Sequence, residues 1–390
     1  MMTRLIFLLI FSVESLLITA QQNIRLVIKN AAPAKTPGQT IFIAGSFNNW
    51  NPQNEQFRFQ QDEKGNHFID MKLPAGSYEY KITRGGWDKV ECSKDGAGIG
   101  NRILKVDGDA IVEINVEGWQ DQFAVKAKLS TAGRNVQIIE TSFWMPQLKR
   151  SRRIWIYLPE NYAGTKERFP VLYMHDGQNL FEDTSSFSGE WGIDEFLDST
   201  RLKNCIVVGI DNGGGHRLSE YAPYDFTLDN RSSSTKVEGK GSEYVDFLVK
   251  TLKPFIDKHY RTKKDKGNTF VAGSSMGGLI SMYAVVKYPK VFGGAGIFSP
   301  SFWTSKKIFD DIKKKSKKIR SNIFFYVGKQ EGDQMVPDML KGMQALAAKS
   351  KSKIKTVIRD EGRHNEATWR KEFPTGYSWM LYGKEPILLQ

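Results

Sequence analysis

The sequence predicts two folded parts in series, a small all-β immunoglobulin-like sandwich followed by an α/β domain with helices on both faces of its sheet. Three observations predict this. Residues 23–116 alternate in short strand-length runs broken by turn signals, apolar strands alternate with helical segments from 137 onward, and a polar stretch without periodicity separates the two styles. The 390-residue length leaves room for two cores, and 40% hydrophobic residues are enough to fill them.

Taken in order, residues 1–20 combine a basic start at Arg4, an apolar stretch over 5–13 and a small residue at Ala20, the pattern of a secretory signal peptide. The run is shorter than the ~20 residues a spanning helix needs. Export to the periplasm or the medium is therefore expected, without stable membrane insertion after cleavage. The sandwich is expected over 21–118, with strands at 24–28, 40–44, 67–73, 78–83, 103–106 and 111–116. Pro37-Gly38, Pro74-Ala75-Gly76 and Gly85-Gly86 mark its turns. A linker follows over 119–134, and the α/β domain takes 135–390. Its strands are expected at 153–158, 171–174, 206–210, 269–272, 322–327 and 353–358, and its helices at 243–260, 276–287 and 335–348.

Composition narrows the partners. The net charge of +13 is densest at Lys313-Lys314-Lys315-Ser316-Lys317-Lys318, which reads as the solvated face of a short helix. Together with export, this argues against nucleic acid as a partner. Cys92 and Cys205 fall in different predicted domains, so buried free thiols are expected rather than a disulfide. The Cys and His residues form no metal-ligand spacing.

Chemistry is carried by Gly273-Ser274-Ser275-Met276-Gly277-Gly278, set between the strand 269–272 and the helix 276–287. A strand that reverses sharply into a helix strains the apex residue, and the positions two before and two after must then be small. Gly273 and Gly277 occupy those positions, so Ser275 is the expected nucleophile of an α/β-hydrolase. The helix behind it directs its first amides at negative charge developing there.

A serine hydroxyl needs a base, and the base needs an acid to orient it. In this fold the chain order is serine, acid, histidine. Of five histidines only His364 lies C-terminal to Ser275, in a loop beyond the strand 353–358. Seven acids lie between or beside them: Asp310, Asp311, Glu331, Asp333, Asp338, Asp360 and Glu361. Glu331 is preferred because it follows the strand 322–327 through a short turn, and Asp333 is left as the alternative. The loop after the strand 171–174 supplies the second oxyanion donor, with Gly177 permitting close backbone approach. The expected hole is the amide of Gln178 paired with that of Met276, where loss of one donor typically costs ~3 kcal/mol of barrier. His175 and Asp176 precede Ser275, which assigns them to packing or to the first layer around the site. This chemistry needs no cofactor and no metal.

From about Val136 onward the chain resembles the esterase family that includes feruloyl, acetyl-xylan and siderophore esterases and mycolyltransferases. The likeness rests on 155–159, 172–179, 273–278, 328–331 and 364–369, five motifs in the family's order. It implies Ser275 as nucleophile, His364 as base, Glu331 as acid, and the Gln178 and Met276 amides as oxyanion donors. The first domain is similar to starch- and glycogen-binding modules through Gly45-Ser46-Phe47-Asn48-Asn49-Trp50, Tyr80-Lys81-Ile82, Trp87 and Asn101. That likeness implies Trp50, Lys81, Trp87 and Asn101 as sugar contacts, indole faces being suited to sugar rings; the alternative is a packing platform. The combined expectation is an exported carboxylic ester hydrolase acting on an acylated glycan or another ester. Siderophore hydrolysis and non-catalytic glycan binding are the rival readings. Residues 217–224, Trp191 and Trp303 either line the acyl pocket or pack the core.

Overall fold

The computed structural model describes residues 21–33, 40–48, 50–123, 130–186, 189–200, 202, 205–230 and 233–385. Residues 1–20, where the signal peptide is expected, and 124–129 of the expected linker lie outside them. The described residues divide into two compact units, one holding those up to 123 with 230 and 233, and the other holding the rest.

The first unit is a β-sandwich. One sheet runs in the order Gln60–Gln61, His67–Pro74, Gln21–Ala31, Ala110–Val116, and the other in the order Phe42–Gly45, Gly76–Thr83, Arg102–Val106. Side chains of a strand alternate between faces, so Ile24, Leu26 and Ile28 enter the core while Arg25 faces outward to Asp70 at 2.6 Å. Ile43, Ile82 and Leu104 meet them from the second sheet. One boundary differs from expectation. Trp119, placed in the linker from sequence, belongs to the strand Gly118–Trp119, is 1% exposed, and donates from its indole to the Ala32 carbonyl at 2.9 Å. A large amphipathic ring gains more from this core than from a solvated linker.

The second unit is built on eight strands: β1 (Val136–Met145), β2 (Arg150–Tyr157), β3 (Val171–His175), β4 (Ile206–Ile210), β5 (Thr269–Ser274), β6 (Gly294–Phe298), β7 (Asn322–Gly328) and β8 (Lys353–Arg359). They form one sheet in the order β1-β2-β4-β3-β5-β6-β7-β8. β2 runs antiparallel to both β1 and β4, and the pairs from β4 to β8 are parallel. Strands covered on both faces need apolar residues throughout, which is why Ile206–Ile210 is buried at every position.

Helices cover both faces: α1 (Ile193–Ser199), α2 (Arg217–Tyr221), α3 (Gly241–Phe247), α4 (Lys253–His259), α5 (Met276–Lys287), α6 (Ile308–Lys315), α7 (Met335–Ala347) and α8 (Glu366–Tyr382). Alternate strand residues separate into two cores. Leu172, Phe270 and Phe324 pack with α1 and α8, whereas Tyr173, Val271 and Phe325 pack with residues of α3 through α7. The helix expected over 243–260 is interrupted by a π turn at Leu248–Leu252. Pro254, which has no amide proton and crowds the carbonyl four residues back, accounts for the widened turn. The lysine-rich run does end a short helix, α6, with Lys313 and Lys314 exposed.

Candidate active site

Every side chain of the expected machinery sits past the C-terminal end of a parallel strand. Ser275 joins β5 to α5 with φ 60° and ψ −123°, a conformation that strains any residue but glycine. Its amide donates to the Phe298 carbonyl at 2.9 Å, which pins the apex to the end of β6. A Cβ on Gly273 would lie 2.9 Å from His175 Cδ2, and one on Gly277 would lie 3.4 Å from both His175 Cβ and Asp176 Oδ2. The elbow therefore fits closely against the loop after β3.

Glu331 ends a one-turn 3-10 helix, Lys329–Glu331, that follows β7. Its carboxylate is fully removed from solvent, and Oε1 accepts from the Gly328 amide at 2.7 Å and from Ser299 Oγ at 2.8 Å. Oε2 accepts from His364 Nδ1 at 2.9 Å. A carboxylate only accepts, so the proton of this bond sits on Nδ1, which leaves Nε2 facing away from Glu331. Trp369, one turn into α8, sets its ring edge-on to the imidazole with centroids 5.0 Å apart and donates from its indole to Ser299 Oγ at 2.9 Å. Asp333, the alternative acid, is exposed. Ser275 Oγ shares a 3.1 Å hydrogen bond with Ser301 Oγ and makes none with His364 here. Such contacts are often long before substrate binds.

The two expected oxyanion donors sit at the starts of helical turns. Met276 opens α5 and Gln178 is the middle residue of the 3-10 turn Gly177–Asn179, positions whose amides have no acceptor inside their own helix. The turn is clamped on every side. Asp176 takes the left-handed conformation with φ 56°, and its carboxylate accepts from Arg217 at 2.7 and 2.9 Å and from Asn212 Nδ2 at 2.8 Å. Burial alone would raise the Asp176 carboxyl, but Arg217 and Asn212 outweigh it and hold it below its ordinary range. Gln178 Oε1 accepts from the Asn212 amide at 3.1 Å, and the Gln178 carbonyl accepts from Ser185 Oγ at 2.8 Å. Gly177 answers a different need from the expected one: a Cβ there would lie 2.8 Å from the backbone of Gly209 and Ile210, so the close approach is to β4. His175 is 2% exposed, shares a 2.9 Å bond with Tyr244 through Nδ1, and is lowered by burial to about 4, which keeps it neutral.

Of the two readings left open for Trp191 and for 217–224, pocket lining or core packing, the structure favours packing. Trp191 is 2% exposed and stacks on Trp369 with centroids 5.8 Å apart, so it supports the site from the core. Within 217–224 the chain forms α2, which turns Tyr221 fully inward and Arg217 toward Asp176. Trp303 is different, being 47% exposed two residues after Ser301. The sequence reading passed over Ser299, Ser301, Asn179 and Glu366, the last of which accepts from Asn179 at 3.1 Å. Asn179 and Glu366 lay inside motifs already singled out, 172–179 and 364–369, whereas Ser299 and Ser301 did not.

In the first unit the four expected sugar contacts fall into two pairs. Trp50 and Trp87 are tilted together with centroids 6.2 Å apart, and Trp87 is 41% exposed. Lys81 Nζ donates to the Ile99 carbonyl, and Asn101, two residues on, donates to Glu79 at 3.0 Å. Burial lowers the Lys81 ammonium below its ordinary range. Cys92 and Cys205 are buried free thiols. Among the described residues no group of His, Cys, Asp and Glu is arranged to hold a metal ion, and no helix is long and apolar enough to cross a membrane.

Comparison with known proteins follows the same division. Residues 146–380 match the family described as "Putative esterase", and residues 34–114 match the "Pullulanase X25 domain". The chain is similar to the uncharacterized protein YbbA of Bacillus subtilis, 28% identical over 244 residues that cover 60% of this chain and 94% of that protein. It is also similar to the endo-1,4-beta-xylanase/feruloyl esterase of Xylanibacter ruminicola, 26% identical over 260 residues that cover 65% of this chain and 32% of that protein. The crystal structure of the BES protein from Bacillus cereus shares the fold, with a TM-score of 0.54 and 19% identity over 64% of this chain and 97% of that one.

Proposed function

The chain belongs to the "Putative esterase" family, whose fold and relatives are those of carboxylic ester hydrolases, and from that premise we propose that it works by a Ser275, His364 and Glu331 triad. Ser275 Oγ turns from Ser301 toward His364 Nε2, gives up its proton there, and attacks the ester carbonyl. Glu331 holds the imidazole in the required tautomer and balances the imidazolium that forms. The amides of Gln178 and Met276 receive the oxyanion. His364 then protonates the leaving alcohol, and a water activated the same way releases the acyl group. The observation that carries this reading is the 2.9 Å bond from His364 to a solvent-free Glu331, two strands along the sheet edge from Ser275.

The proposed substrate is an acyl ester, acetyl or feruloyl in type, on a polysaccharide or oligosaccharide outside the cytoplasm. Three things support it: the starch-module likeness of residues 34–114, a relative named for xylanase and feruloyl esterase activity, and the signal-like pattern of residues 1–20. A glycan-holding module raises the local concentration of ester at the site. Hydrolysis of p-nitrophenyl acetate tests the chemistry: Ser275→Ala is expected to lower kcat by about 10⁶, to the background, and equal rates in the two proteins would refute it. Acetylated xylan, feruloylated arabinoxylan and a catecholate trilactone offered side by side test the substrate, with preference for the trilactone overturning the glycan assignment.

A further inference from the structure

We propose that Glu366 is a positioning residue of this site, a buried carboxyl that ties the turn bearing one oxyanion donor to the helix led by His364. The proposal rests on the hydrolytic reading above. Glu366 is the first residue of α8, two places after His364, and only 7% exposed. An acidic residue opening a helix is ordinarily solvated, where the helix dipole favours it without further partners. Here the side chain turns inward instead, and its Oε1 accepts from Asn179 Nδ2 at 3.1 Å. Asn179 closes the turn whose middle residue is Gln178, and its carbonyl accepts from the Trp191 amide at 2.8 Å. One hydrogen bond thus spans 187 residues of sequence and links the two halves of the machinery, the base and the oxyanion donor.

The charges facing Glu366 come from each element packed against it. Asp176 faces it from the loop after β3, Arg217 from α2 and His364 from the residues leading into α8. Arg370, one turn further along α8, is engaged elsewhere, with Glu190 at 3.7 Å and Glu195 at 3.9 Å. Burial, joined by Asp176, pushes the Glu366 carboxyl up to about 7, against the pull of its own amide, Asn179 and His364. It therefore exchanges its proton in the range where the enzyme would work. Its ionised form favours the imidazolium form of His364, so the carboxyl supports the proton transfer as well as the geometry.

The test uses the full chain and p-nitrophenyl acetate from pH 5 to 9, with Glu366→Gln and Glu366→Ala beside wild type. The amide in Glu366→Gln still accepts from Asn179 but carries no charge, so the acid limb of kcat/KM is expected to move to lower pH by about half a unit. Glu366→Ala loses the tie, and kcat is expected to fall about tenfold to a hundredfold with KM moving less. An unchanged kcat in Glu366→Ala overturns the proposal, and should that variant not fold, an unchanged kcat in Asn179→Ala, which removes the donor of the same tie, does so. Wild-type turnover equal to that of Ser275→Ala is a separate outcome, since it removes the hydrolytic reading itself.

Discussion

His364 and Glu331 meet through a 2.9 Å hydrogen bond although 33 residues separate them, because the loops after two neighbouring parallel strands converge at one sheet edge. The carboxylate that receives this bond is already held by Gly328 and Ser299, so its position does not depend on the histidine. Glu331→Gln keeps an acceptor for both of those donors but offers Nδ1 an amide that can hold the imidazole in the wrong tautomer. A kcat lower by about 10⁴ is expected, with KM changed far less. Steady-state kinetics checks this, and a kcat within tenfold of wild type would return the acid's role to another residue.

Gly273 tests the elbow independently of any titration. An added Cβ would meet His175 Cδ2 at 2.9 Å and the Gly277 carbonyl carbon at 3.1 Å, and His175 is itself fixed by Tyr244. Gly273→Ala is expected to cost about 1–3 kcal/mol of stability, as overpacking does, and to displace Ser275. Gly98→Ala is the control, since nothing lies within 4 Å of its added methyl. Thermal denaturation of both variants should show a lowered Tm for the first alone.

Six of the eight strands of the second unit were legible because their residues leave few options, whereas the partly exposed β1 and the glycine-rich β6 were not read as strands. Ile206–Ile210 is apolar throughout and bounded by polar turns, and the elbow is defined by glycines at fixed offsets. α8 was harder to read, since Pro374 stands inside it and interrupts the usual signal of an unbroken helix. Asn365 nevertheless caps it, accepting from the Thr368 amide at 3.0 Å. The roles of Ser301 and Asn179 were illegible for another reason. A serine or an asparagine in a loop carries no periodic signal, and their roles arise only when β6 and β3 are brought beside Ser275 and α8.

Trp87 provides the test of the first unit. It is the more exposed member of the tilted indole pair, and an exposed indole face costs free energy in water unless a partner covers it. Trp87→Ala is expected to weaken retention in an amylose affinity gel by about tenfold while leaving the fold intact, since stacked rings contribute ~1 kcal/mol or more. Wild-type migration unaffected by amylose or xylan would leave the unit as a packing platform.

Asp194 makes stability depend on pH. It is fully buried at the start of α1, with Oδ2 accepting from the Gly133 amide at 2.7 Å and Oδ1 lacking a partner. Burial, with Glu195 alongside, pushes its carboxyl up to about 7. A carboxyl raised in the folded state binds its proton more tightly there than in the unfolded chain. Its favourable contribution is therefore complete below the unfolded value of 3.8 and disappears as pH rises toward 7. Asp194→Asn keeps an acceptor for Gly133 and removes the ionisation. The variant should be stabilised relative to wild type by about 1 kcal/mol more at pH 8 than at pH 5, allowing for partial screening. Urea melts at the two pH values measure this difference directly, and an equal effect at both would mean that Asp194 ionises in the folded protein as it does in the unfolded chain.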